Sequence, residues 1–165
     1  MNTTATSIDQ AMYGLSQLFL IPVLIAIALL FAYAFLALGA FAWQARQRRA
    51  RKAAGFELLQ AAQAHPQLSR DALEALALRR LECVRVATRV APMLGLVATM
   101  IPMGPALKAL ADGQIADVSR QLMVAFSAVI LALIASAITY TVAQVRRRWY
   151  ASDLLRLQDT EGPAP

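Results

Sequence analysis

The sequence predicts an all-α integral membrane protein with three transmembrane helices. Its N-terminus is expected outside and its C-terminus inside, with the second and third helices extending into the cytoplasm. Three observations lead there. Of the 165 residues, 59% are hydrophobic and the mean hydropathy is +0.52, an apolar share above that of an ordinary soluble domain. Three apolar runs, 18–44, 90–111 and 121–145, are long enough to cross a bilayer and hold no Asp, Glu or His. Basic clusters follow two of them: Arg46, Arg48, Arg49, Arg51 and Lys52 after the first, and Arg146, Arg147 and Arg148 after the third. Positive residues collect on the cytoplasmic side, so these clusters orient every span.

The chain opens with a polar periplasmic segment, 1–17, which has no basic n-region. The apolar run behind it is far longer than a signal-peptide core, so it reads as an uncleaved first membrane helix. Pro22 is expected in its first turns, where a missing N–H does little harm. Tyr13 and Trp43 flank the run as interfacial anchors. With no Asp, Glu, His, Lys or Arg between Leu18 and Trp43, this helix suits lipid contact.

Residues 45–89 read as a short basic cytoplasmic helical region. Ala53 to Ala64 is expected to be helical, and His65-Pro66 breaks it because the residue before proline avoids the helical region. Ser69 is a candidate N-cap, with Asp71 in the first turn. From Arg70 no breaker appears until Pro92, which predicts one long helix running from the cytoplasm into the second span. The net charge of +6 sits beside apolar runs, where it sets topology; no basic–aromatic surface points to nucleic acid. Cys83 is the only cysteine and His65 the only histidine, so neither a disulfide nor a metal site is expected, and no cofactor motif is present.

The second span, 90–111, is unusual. It holds Pro92, Gly95, Thr99, Pro102, Gly104 and Pro105. Small and helix-breaking residues at membrane depth are tolerated where protein packs around them. Thr88, Gly95, Thr99 and Ala106 form a small or hydroxylated stripe. Pro102 cannot donate to the carbonyl of Ala98, so the span is expected to end there in an irregular turn that forms the outer rim, with Pro105 restarting a helix. Residues 112–120 then read as a periplasmic loop with balanced charges.

The third span, 121–145, carries Ala125, Ala128, Ala132, Ala135 and Thr139 at alternating steps of three and four. That spacing makes a seam that lets helix backbones approach closely. Ser127, Ser136, Thr139 and Tyr140 supply hydroxyls. Residues 146–165 read as a cytoplasmic tail that continues as a polar helix and frays at Gly162-Pro163-Ala164-Pro165. No span carries an acid, so the chain has no titrating group of its own with which to move protons through the bilayer. No nucleotide loop or nucleophile–base pair is present, and an enzyme is not expected.

The stretch Ala91-Pro92-Met93-Leu94-Gly95-Leu96-Val97-Ala98-Thr99 resembles the second-helix signature of the MotA/TolQ/ExbB proton-channel family. The third span, with Tyr140 behind an alanine-rich run, is similar to that family's last helix. Ile101 to Leu107 and Arg148-Trp149-Tyr150 look closest to a small three-span ExbB/TolQ-like branch. The resemblance covers roughly Leu81 to Leu155. It implies a ring of five copies in a bacterial or archaeal cytoplasmic (inner) membrane. It further implies a central pore walled by the second and third helices and holding single-span partners of the ExbD/TolR/MotB kind. Each partner would supply a membrane Asp that takes and releases protons, and the flow would drive a molecular motor. By the motif, Thr99 is the pore hydroxyl facing that Asp, with Ser127, Ser136 and Thr139 as further candidates along the path. The third helix departs from the family pattern. Its expected threonine falls on Phe126 or Val129 depending on register, and its expected glycine on Val129 or Ala132. Ser127 is aligned in neither register. The short cytoplasmic region also lacks the large helices of flagellar stators. The competing reading is a non-conducting oligomeric membrane scaffold held by the small-residue seams; a proton-coupled exporter is disfavoured because it needs its own membrane carboxylate.

Overall fold

A computed structural model describes residues 2–50 and 70–161, with side chains described at positions 14, 15, 17–50 and 72–157. The described residues form three helices: α1, Asn2–Arg49; α2, Arg70–Ala111; and α3, Ile115–Glu161. Each contains a stretch long and apolar enough to cross a membrane. The helix expected over Ala53–Ala64, its break at His65-Pro66, Arg51, Lys52, the Ser69 cap and the Gly162–Pro165 tail lie outside the described residues.

Three local expectations are corrected. Helix α1 begins at Asn2, so Pro22 stands deep inside it rather than in its first turns. Helix α2 runs unbroken through Pro92, Pro102 and Pro105 to Ala111, with no irregular turn at 102–105. Each proline withholds one N–H, but the fixed φ near −65° is still helical, and a membrane helix accommodates the gap when neighbours crowd the site. Pro102 is itself buried. Finally, helical structure resumes at Ile115, so the non-helical connection is Asp112 to Gln114 rather than 112–120.

That connection is set by Gly113, whose φ is +74°. The Gln114 N–H donates to the Ala109 carbonyl at 2.8 Å, and the Gly113 N–H to the Leu110 carbonyl at 3.1 Å. This pair of bonds is the Schellman closure, which needs a left-handed residue and therefore favours glycine. The Gln114 carbonyl then accepts from the N–H groups of Asp117 and Val118 at 3.1 and 3.2 Å. Asp117 adds negative charge to the first turn of α3, where the helix dipole favours it.

The chain forms two compact units. The first comprises Met1–Tyr33 and Arg89–Ser136. Its core joins Val23 and Ile27 of α1 to Ala98 of α2 and to Ala128 and Ala132 of α3, with Leu24 and Leu94 packed against them. The second comprises Ala34–Thr88 and Ala137–Pro165. Its core joins Ala77 and Leu81 of α2 to Tyr150 of α3, flanked by Leu76 and Leu154.

Candidate functional site

In the first unit the small residues of α2 and α3 face one another. Ala125, Ala128, Ala132 and Ala135 are all buried, and so are Ala91, Gly95, Ala98, Pro102, Ala106 and Ala109. The closest approach is at Gly95, where an added Cβ would stand 2.9 Å from the Cβ of Ala132 and 3.6 Å from the Cα of Val129. Only a residue without a side chain fits there. Pro92 and Pro105 are half-buried at the border of this face, and Gly104 is exposed.

Thr99 lies just off the packed line. It is half-buried, and its hydroxyl donates to the Leu96 carbonyl at 2.7 Å. The proton is thus held by its own helix, while the oxygen lone pairs can still accept. Ser127 is exposed and donates to the Met123 carbonyl at 2.8 Å. Ser136 is half-buried and already has an interaction partner. Phe126, one of the two register positions for a third-helix threonine, is exposed, whereas Val129 lies against Gly95.

In the second unit Thr139 is buried within the chain. Its hydroxyl lies 3.0 Å from that of Thr88, which donates in turn to the Val84 carbonyl at 2.8 Å. In a single copy this pair ties α2 to α3 rather than facing outward. Tyr140 and Gln144 are exposed and bonded to each other at 2.9 Å, and Thr141 bonds back to Ala137 at 2.9 Å.

The second unit also holds a polar cluster that the sequence did not disclose. Arg48 forms an ion pair with Asp153, Nη1 and Nη2 donating to its two carboxylate oxygens, the longer contact being 3.4 Å. Asp153 is 1% exposed. The Arg48 guanidinium carbon stands 4.7 Å from the centre of the Trp149 ring, which stacks on Phe41 with centroids 5.1 Å apart. A planar guanidinium serves the carboxylate and the aromatic face together. One turn earlier, Gln44 is buried with neither amide atom hydrogen-bonded, and the Arg146 Nε is likewise buried and unbonded. Arg46, Arg49, Arg147 and Arg148 are exposed. Among the described residues no group of His, Cys, Asp and Glu is placed to hold a metal.

Among the described residues, three helices long and apolar enough to cross a membrane, two of them joined through small residues, define an all-helical multi-pass membrane protein. The family model for the MotA/TolQ/ExbB proton channel family matches residues 42–159, more than two-thirds of the chain, and the chain belongs to that family. No curated protein and no solved structure matches it.

Proposed function

We propose that this chain is a ring subunit of a proton-motive-force-driven motor, walling a pore that holds single-span partners. The partners bring the proton-binding Asp, and the chain supplies no catalytic group. Five copies in a bacterial or archaeal inner membrane, N-terminus out and C-terminus in, make up the ring. The observation that carries this reading is the half-exposed Thr99 in spans that hold no acid. A proton path needs a titrating group, and here another chain must provide it.

The hydroxyl of Thr99 suits both states of such a carboxyl. A protonated Asp donates to the Thr99 oxygen while Thr99 keeps its bond to the Leu96 carbonyl. When the Asp loses its proton, Thr99 turns its own proton from Leu96 to the carboxylate. The motion is one side-chain rotation, and the helix stays intact.

The test is purification of the complex from its native membrane, with mass determination and proton uptake in vesicles. A pentamer with a substoichiometric single-span protein carrying a membrane Asp is expected. Thr99→Val should assemble normally and lose proton uptake, whereas Thr99→Ser should keep much of it. Full uptake by Thr99→Val would remove Thr99 from the path. One observation favours the non-conducting scaffold instead: Phe126 and Val129 occupy the third-helix threonine positions. A homo-oligomer that purifies without any partner would support that reading.

A further inference from the structure

We infer that the outward face of α1 holds one anionic phospholipid, with its phosphate on Arg46 beside Trp43 and an acyl chain in the notch at Gly39 and Ala40. The site lies on a single copy and needs no ring to form.

This end of α1 has two unlike sides. Phe41 stacks on Trp149 and Arg48 pairs with Asp153, so the side bearing Phe41 and Arg48 is turned to α3. At 3.6 residues per turn, Leu36, Gly39, Ala40, Trp43, Arg46 and Gln47 share the opposite side. Leu36 is 73% exposed and Trp43 66%. Gly39, Ala40 and Arg46 are exposed as well.

Trp43, Arg46, Gln47 and Ala50 line a shallow pocket of about 100 Å³. A single water needs about 10–15 Å³, so there is room for a phosphate group. The first three side chains bring an indole N–H, a guanidinium and an amide, each a hydrogen-bond donor. Among the described residues neither Arg46 nor Gln47 uses its side chain in a hydrogen bond or an ion pair.

Charge selects the headgroup. Helix α1 holds no Asp or Glu after Asp9. Asp153, the acid paired with this end of it, is buried and taken by Arg48. The pocket therefore offers a phosphate three donors and offers a headgroup ammonium no carboxylate. A net negative headgroup suits it better than a zwitterionic one.

The groups along this face follow the depth profile of one leaflet. Leu36 to Ala40 is apolar, the Trp43 indole comes next, and the Arg46 guanidinium follows. Arg46 lies about 15 Å along the axis from Leu36, half of a hydrocarbon core about 30 Å thick. Tryptophan settles at the boundary of that core, and phosphate lies just beyond it. Between the large side chains of Leu36 and Trp43, Gly39 and Ala40 leave a notch. A Cβ added at Gly39 would meet nothing within 4 Å, so an acyl chain can lie there against the backbone.

The experiment uses the full-length chain with Trp149→Phe, which keeps an aromatic ring on Phe41 and leaves Trp43 as the only tryptophan. It is reconstituted in phosphatidylcholine vesicles containing a small fraction of phosphatidylglycerol brominated near the glycerol end of its chains. Bromine quenches a ring that it touches, so quenching beyond the mole fraction measures preference for phosphatidylglycerol at Trp43. A preference of about fivefold is expected, the strength of one arginine near an anionic surface. Arg46→Gln should bring it to about one, and Arg46→Lys should keep part of it. Arg147→Gln, which removes the same charge from α3, should leave it unchanged. By native mass spectrometry the detergent-purified chain should retain one phosphatidylglycerol per copy, and Gly39→Leu, which fills the notch, should lose most of it. No preference in the parent, or equal loss in Arg46→Gln and Arg147→Gln, would overturn the site. Displacement of the brominated lipid by inorganic phosphate would make it a pocket for soluble anions instead. Full lipid retention by Gly39→Leu would remove the acyl chain from the notch.

Discussion

The contact at Gly95 gives the sharpest test of the packing. In Gly95→Ala the new Cβ would meet the Ala132 Cβ at 2.9 Å and the Val129 Cα at 3.6 Å. Carbon atoms pack comfortably at about 3.5–4.0 Å, so the two helices must part by about 0.6–1 Å at this level. Neither neighbour is the tip of a flexible side chain; both atoms move only with the backbone. Overpacking of this kind costs about 1–3 kcal/mol. The backbone-linked clash puts the cost in the upper half of that range, about 2–3 kcal/mol; removing a helix-interior glycine returns about 1 kcal/mol, leaving a net loss of about 1–2 kcal/mol. That is about a five- to thirtyfold fall in the folded-to-unfolded ratio, measurable by reversible unfolding of the purified chain in mixed micelles. Moving the methyl, with Gly95→Ala and Ala132→Gly together, should recover most of the loss. Gly39→Ala, which meets nothing within 4 Å, is the control and should be neutral or slightly stabilising. Parent-like stability of Gly95→Ala, or no recovery in the double variant, would refute the close approach.

Further outcomes follow from other sites. Asp153→Asn should lower stability by about 3 kcal/mol in the same micelle assay, because it leaves the Arg48 guanidinium without its carboxylate. Arg48→Lys should cost about 1 kcal/mol, since an ammonium cannot match two carboxylate oxygens and lie over Trp149 at once. Gln44→Leu should raise the unfolding midpoint, by about 1–3 kcal/mol in stability, because it removes an amide buried without partners. Gly113→Ala should lose about 1–2 kcal/mol to the left-handed backbone, with Gly113→Asn losing less.

The third-span seam was legible because its alanines repeat at alternating steps, and a helix turns that spacing into one face. The α2 seam was harder to read. The sequence suggested Thr88, Gly95, Thr99 and Ala106, whereas the buried line runs Ala91, Gly95, Ala98, Pro102, Ala106 and Ala109. Every residue in this stretch is small or apolar, so composition does not fix the rotation of the helix; only the partner does. The expected turn at Pro102 came from a rule about water-exposed helices, where a lost hydrogen bond stops propagation. The Arg48–Asp153 pair was invisible for a different reason. Arg48 sits in a basic block that topology already explains, and nothing in sequence says which residue of a distant helix stands opposite it. An acid shortly after the arginine cluster that follows the third span was the one available signal.

The connection between α2 and α3 has a mechanical consequence. Three residues, locked by the Gly113 closure and the Gln114 cap, leave almost no slack between two helices already in backbone-close contact at Gly95. Within the first unit the two helices therefore move as a single stave. A partner turning inside the proposed barrel cannot twist one helix of a stave without carrying the other.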